Sequence, residues 1–150
     1  EIDIVIEDGG DGPEKTKIDE EIFLERLPAG FRPVYEKWID IWKKNNLIVT
    51  YGYDGFSLRS NEHFGNKQKY IYATLNKGVT LIKDADADNL QIDSENYKRY
   101  LSIIRDVPCA KEFLALNKTY IAHSRLTAEE LDKIFKATTL ITTEEDNKFD

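Results

Sequence analysis

The sequence predicts an α+β domain in which an antiparallel sheet of about four strands, in the middle of the chain, packs against several amphipathic helices. Three observations lead to this. Segments rich in β-branched and aromatic residues, separated by Gly- and Asn-containing turns, crowd residues 47 to 82. On both sides of that block, apolar residues recur at three- and four-residue steps. The chain has 150 residues, of which 41% are hydrophobic and 11% aromatic, enough for one sizeable core; a second would leave each half marginal. The folded unit is accordingly placed at residues 26–140, after a strand and mobile connector over 1–25 and before a frayed tail over 141–150.

The elements follow in order. Ile2 to Ile6 alternate with Asp3 and read as a short strand, which the turn chemistry of Gly9, Gly10, Gly12 and Pro13 ends. The charge-dense stretch from Glu14 to Glu25 has few apolar anchors and reads as a poorly packed connector running into a helix. Phe31, Val34, Tyr35, Trp38, Ile41 and Trp42 form one stripe of a helix that stops near Asn45 and Asn46, with Lys43 and Lys44 complementing its dipole. Both tryptophans lie on it, so it is expected to anchor the core. Segments 47–51 and 56–59 form one expected hairpin across Gly52 to Gly55. Segments 70–75 and 79–82 form another across Asn76, Lys77 and Gly78, with Gly78 where positive φ is needed. Tyr97, Leu101 and Ile104 mark a helix broken at Pro108, and a second continues through Phe113 and Leu116. Tyr120 to His123 reads as one more short strand. Thr127 followed by Glu130 is a capping box, with Leu126 and Leu131 as its staple, and Ile134 and Phe135 continue the apolar face.

Composition narrows function mainly by exclusion. A formal net charge of -7 opposes a whole-domain grip on phosphate backbones or anionic lipid, although it leaves room for a local basic strip. No apolar run approaches the roughly 20 residues a bilayer requires, so no membrane partner is expected. The single cysteine, Cys109, excludes an intramolecular disulfide and suits a reducing, cytoplasmic setting. It reads as a small buried hydrophobe at a helix start. The chain opens on Glu1 rather than Met, as expected of a fragment or processed form of a longer polypeptide.

Asp84, Asp86, Asp88 and Glu95 carry the most specific spacing. Alternate oxygen ligands closed by a late bidentate Glu can converge on Ca²⁺, and the pattern resembles the calcium loop of EF-hand proteins. It departs from that pattern in having Asn89 for the loop Gly and Gln91 for the usual aliphatic residue. Ca²⁺ is thus the one candidate cofactor, and the competing expectation is a solvated acidic loop with Asp93 or Ser94 capping the next helix. His63 and His123 lack partners at zinc spacing; His63 reads as a loop residue and His123 as satisfying a hydrogen bond at a strand end.

Ile2-Asp3-Ile4-Val5-Ile6-Glu7 is similar to the metal-binding strand of PD-(D/E)XK nucleases. Such a site needs an acid one residue before a lysine on the neighbouring strand, and Lys15-Thr16-Lys17 puts Lys at the position of the second acid. The resemblance implies the end of a degenerate or truncated nuclease domain using Asp3 and Glu7. The helix from Phe31 to Lys44 resembles linker regions of large restriction–modification polypeptides.

Tyr51, Tyr53, Arg59, Lys67, Lys69, Tyr70 and Tyr72 mix aromatics with bases in the expected sheet, as single-strand nucleic-acid binders do where bases stack over a basic groove. Cross-strand packing with a charged solvent face is the competing explanation. With no complete catalytic set in the sequence, the expected function is a non-catalytic accessory or interaction domain of a larger intracellular protein. Its partner is another protein, the rest of the polypeptide, or nucleic acid. A fragment of a PD-(D/E)XK-like nuclease and a calcium-binding module are the alternatives.

Overall fold

The computed structural model describes residues 16–59 and 69–142, and it is an α+β fold. Helices α1 (Glu20–Arg26) and α2 (Arg32–Lys44) precede four strands: β1 (Ile48–Tyr51), β2 (Gly55–Arg59), β3 (Lys69–Thr74) and β4 (Gly78–Thr80). Helices α3 (Asp84–Asn89), α4 (Ser94–Ile104) and α5 (Pro108–Ala115) follow. Strand β5 (Tyr120–Ile121), a 3₁₀ turn (His123–Arg125) and α6 (Ala128–Thr142) complete the described chain. The sheet runs β1-β2-β3-β4-β5 and every neighbouring pair is antiparallel. The four expected strands are present, and the fifth, Tyr120–Ile121, joins β4 after three intervening helices.

Glycine permits that last pairing. Gly78 has φ near 105°, and a Cβ there would lie 1.9 Å from the Ile121 carbonyl oxygen. No other residue lets β5 approach so closely. The turn before it is fastened by the Thr74 hydroxyl, which accepts from the Lys77 and Gly78 amides at 2.9 and 3.2 Å.

Register decides which side chains meet the helices. Tyr51 faces Phe56, Phe56 faces Ala73, and Ala73 faces Val79, which pairs with Ile121, so these residues share one face. That face is covered: Phe56, Leu58, Ile71, Ala73, Val79 and Ile121 belong to the same buried cluster as the cores of α2, α4 and α6. Thr50, Ser57 and Tyr72 are aligned on the opposite face.

Helix α2 buries Tyr35, Trp38, Ile39 and Trp42. Its stripe is turned slightly from the expected one, with Ile39 fully buried and Ile41 half-buried. The polar atoms of this stripe are satisfied by α6: the Trp42 indole donates to the Thr139 hydroxyl at 2.7 Å, and the Trp38 indole to Asp132 at 2.7 Å. The Thr127 capping box closes as expected, with Thr127 N–H to Glu130 at 2.9 Å and Glu130 N–H to the Thr127 hydroxyl at 3.1 Å. Tyr97 and Tyr100 of α4 stack, and both bond the backbone of Ile82, just after β4. Tyr100 accepts from the Ile82 amide at 2.8 Å and Tyr97 donates to the Ile82 carbonyl at 3.0 Å.

Two expectations need correction. The stretch read as a poorly packed connector contains α1, capped by Asp19 through the Ile22 amide at 2.9 Å, and it buries Ile18, Phe23 and Leu24. Phe23 meets Tyr35 and Phe56 edge to face, at ring separations of 5.0 and 5.3 Å. The core therefore begins at Ile18, ahead of residue 26, because one aromatic ring in a charged segment buries enough apolar surface to order a short helix. The second correction concerns the acidic stretch expected to be a loop: Asp84–Asn89 is helical. The strand expected over Ile2–Ile6, the His63 and Lys67 positions and most of the expected tail lie outside the described residues.

Candidate nucleic-acid interface

On the sheet face turned away from the helices, aromatic and basic side chains alternate across the strands. Tyr72 stands on β3 opposite Ser57 of β2. A bulge at Leu58 and Arg59 shifts the register by one residue, so Arg59 comes to pair with Lys69. Lys69 reaches along its own strand to hydrogen-bond the Tyr72 hydroxyl, and its ammonium lies 4.5 Å from the centre of the Tyr72 ring. Two strands away, Lys77 lies 5.4 Å from the ring of Tyr120, whose partner on β4 is Thr80. Each aromatic thus carries a cation over or beside it.

Lys17, Tyr53, Asp54, Arg59 and Tyr72 line a shallow cavity of about 280 Å³ over β1, β2 and β3. Lys17 is brought there because the neighbouring Ile18 amide bonds the Gly52 carbonyl at 2.8 Å, tying the chain ahead of α1 to the first hairpin. Asp54 is the carboxylate of this cavity, and part of its acceptor capacity is used by the Asn76 amide at 3.2 Å. Among the described residues this cavity is thus lined by more cations than carboxylates, on a chain whose net charge is -7. Arg59 pairs with Lys69 across the strands, and its guanidinium donates to the Ser57 hydroxyl at 3.1 Å.

The expected strip divides by location. Arg59, Lys69 and Tyr72 lie together on the outer face, where Lys69 is exposed, Arg59 and Tyr72 are half-buried, and Ser57 and Thr80 between the strands are buried. Tyr53 extends from the first turn with 54% of its surface exposed. Tyr51 points the other way, against Phe23 and Phe56, and its hydroxyl is buried without a hydrogen-bond partner among the described residues. Burial, then the charges of Glu20 and Asp19, raise its pKa well above the usual tyrosine value. Its stacking surface belongs to the core. Tyr70, the extra residue at the bulge, is also buried, with its pKa raised by that burial. Lys67 is outside the described residues. Lys17, Lys77 and Tyr120 were not expected: the Ile18–Gly52 bond brings Lys17 here, the turn between β3 and β4 carries Lys77, and the pairing of β5 with β4 brings Tyr120.

The acidic candidates are arranged differently from a calcium loop. In a helix, residues two apart point to opposite sides, so Asp84 and Asp88 share a side and Asp86 does not. Asp86 accepts from the Lys83 amide at 3.1 Å as part of the helix start. Glu95 lies in the first turn of α4 and faces Lys98 at 3.7 Å, while Asp93 caps that helix through the Glu95 and Asn96 amides. Among the described residues no group of three or more His, Cys, Asp or Glu side chains is placed to hold a metal ion.

His123 is buried with its Nε2 2.7 Å from the Tyr35 hydroxyl. Burial lowers its pKa and raises that of Tyr35, so both are neutral at pH 7. Half-buried Cys109 has its thiol pKa raised by burial and by Glu130, which keeps it protonated and poorly nucleophilic. Asp3, Glu7 and Lys15 of the nuclease-like segment lie outside the described residues. Among the described residues no helix is long and apolar enough to cross a membrane. In comparison with known proteins, the chain matches no family model, no curated sequence and no solved structure.

Proposed function

We propose that this chain is a non-catalytic interaction domain of a larger cytoplasmic, nucleic-acid-processing protein, and that the open face of its sheet holds single-stranded nucleic acid. The observation that carries this reading is the placement of Tyr72, flanked by Lys69 and Arg59, at the centre of a face opposite the helix-covered core. Bases stack on an exposed aromatic ring regardless of sequence, and cations beside the ring take the phosphates that follow. Tyr72 and Tyr120 supply stacking surfaces two strands apart, about 10 Å. An acidic body with cations on one face directs a strand to that face and disfavours wrapping elsewhere.

Fluorescence anisotropy with a labelled single-stranded oligonucleotide tests the reading. Binding is expected to weaken steeply with added salt, as counterion release demands. Tyr72→Ala removes a stacking platform and should cost about 1–3 kcal/mol of binding, while Lys69→Glu should weaken binding and flatten the salt dependence. The oligonucleotide should remain uncut in Mg²⁺ or Mn²⁺. An affinity insensitive to both substitutions would overturn the assignment of this face.

A further inference from the structure

Beyond the sheet lie two further cavities, the first lined by Lys69 and Lys83 against the carboxylate of Asp86. Lys69, Tyr72, Thr80, Lys83 and Asn117 border one of about 460 Å³ between β3, β4 and α3. Lys83, Arg105, Lys111 and Asn117 border another of about 540 Å³, whose apolar wall is Leu101, Leu114 and Ala115. Tyr72 is common to the sheet cavity and the first of these, and Lys83 and Asn117 are common to the first and the second. The three openings thus lie side by side, from the sheet beside Tyr72 to the space between α4 and α5.

The far end of this row has a charge pattern that helix stability does not explain. Lys83, Arg105 and Lys111 come from three segments, and none has a carboxylate within ion-pair distance among the described residues. Arg105, as the C-cap of α4, complements that helix dipole, but Lys83 precedes a helix and Lys111 lies inside one. Asp84 is the carboxylate of the cavity, beside the Tyr97 hydroxyl, whose pKa it helps raise after burial. Three cations against one acid, around an apolar wall, suit a polyanion with flat apolar groups between its charges.

We infer that the groove from Tyr72 through Lys83 to Arg105 and Lys111 is the path of a longer single strand, with Lys83, Arg105 and Lys111 taking backbone phosphates beyond the sheet. This rests on the sheet reading and extends it. A strand short enough to lie on the sheet uses Tyr72, Arg59 and Lys69; a longer one also enters the cleft between α4 and α5. Affinity should therefore rise with length beyond what the sheet accommodates, and the salt dependence should steepen by about 0.7 for each added phosphate contact.

The experiment compares labelled single strands of about 4 and about 12 nucleotides, a range that single-strand sites span, on the wild-type chain and on K83E/R105E/K111E. The variant should bind the short strand within about twofold of wild type and the long strand about tenfold or more weakly, with a shallower salt slope. If charge reversal disturbs folding by circular dichroism, K83Q/R105Q/K111Q gives the same comparison with a smaller loss. Equal long-strand affinity in wild type and variant, or wild-type binding that does not depend on length, overturns the groove while leaving the sheet assignment standing. A wild-type chain that binds neither strand overturns both.

Discussion

His123 and Tyr35 are the most deeply placed titratable pair among the described residues, joined at 2.7 Å across a separation of 88 residues. Phe31 lies against the imidazole at 5.1 Å, and Phe56 and Phe135 surround the phenol. Burial depresses the folded-state pKa of His123 below its unfolded value of about 6.5. The folded state therefore binds fewer protons, and stability that is complete above about pH 6.5 declines as pH falls through the lower folded value. Denaturant titrations between pH 7.5 and 5 should show this decline in the wild type, and a His123→Gln variant should show a smaller one. Asp132 responds in the same sense, over a lower pH range. Burial pushes its carboxyl up, but hydrogen bonds from Lys37 and Trp38 outweigh this and hold it below the usual carboxylate range, so its contribution persists to lower pH. Trp38, 2% exposed and bonded to that carboxylate, should cost about 3–5 kcal/mol on replacement by Ala, read as a fall in unfolding midpoint. None of these residues faces the proposed interface, so each of these changes should alter stability and leave oligonucleotide affinity unchanged.

Among the elements, β5 shows how a two-residue strand organises its surroundings. It closes the sheet after α3, α4 and α5, sets Tyr120 beside Lys77, and depends on the missing Cβ of Gly78. Gly78→Ala places a methyl carbon against the Ile121 carbonyl at a positive φ, so it should destabilise by well over about 1 kcal/mol and lower the melting temperature by several degrees. The same element shows what the sequence reveals and what it withholds. Helix α2, the capping box of α6, both hairpins and the strand at Tyr120 are legible because their signals are local: period, cap and turn residues. Helix α1 is not, since Glu20, Glu21, Glu25 and Arg26 conceal the one stripe around Phe23, and its burial depends on Tyr35 and Phe56 arriving from elsewhere. Helix α3 is hidden by its run of aspartates, which suits a loop until Asp86 caps the backbone. Tyr51 and Tyr72 look alike in the sequence. Only strand register shows that one is core and the other open, and the bulge at Leu58 and Arg59 brings Arg59 opposite Lys69.

Taken whole, the molecule separates a buried aromatic core from a charged outer sheet face. Helices α1, α2, α4 and α6 and the inner side of the sheet form one buried cluster, rich in aromatic edge-to-face contacts, that fixes the strands in register. The outer side carries Tyr72, Tyr120, Arg59, Lys69 and Lys77, on a chain whose net charge is -7. A rigid inner layer makes the outer one preorganised, so a strand binding there loses its own freedom and little of the protein's. Backbone amide shifts followed during titration with a single-stranded oligonucleotide distinguish the two faces. The largest shifts should fall at Ser57, Arg59, Lys69, Tyr72, Lys77, Thr80 and Tyr120, while the amides of α2 and α6 stay in place. Shifts concentrated on the helices, or an oligonucleotide that leaves the outer strands unmoved at saturating concentration, would contradict this placement of the interface.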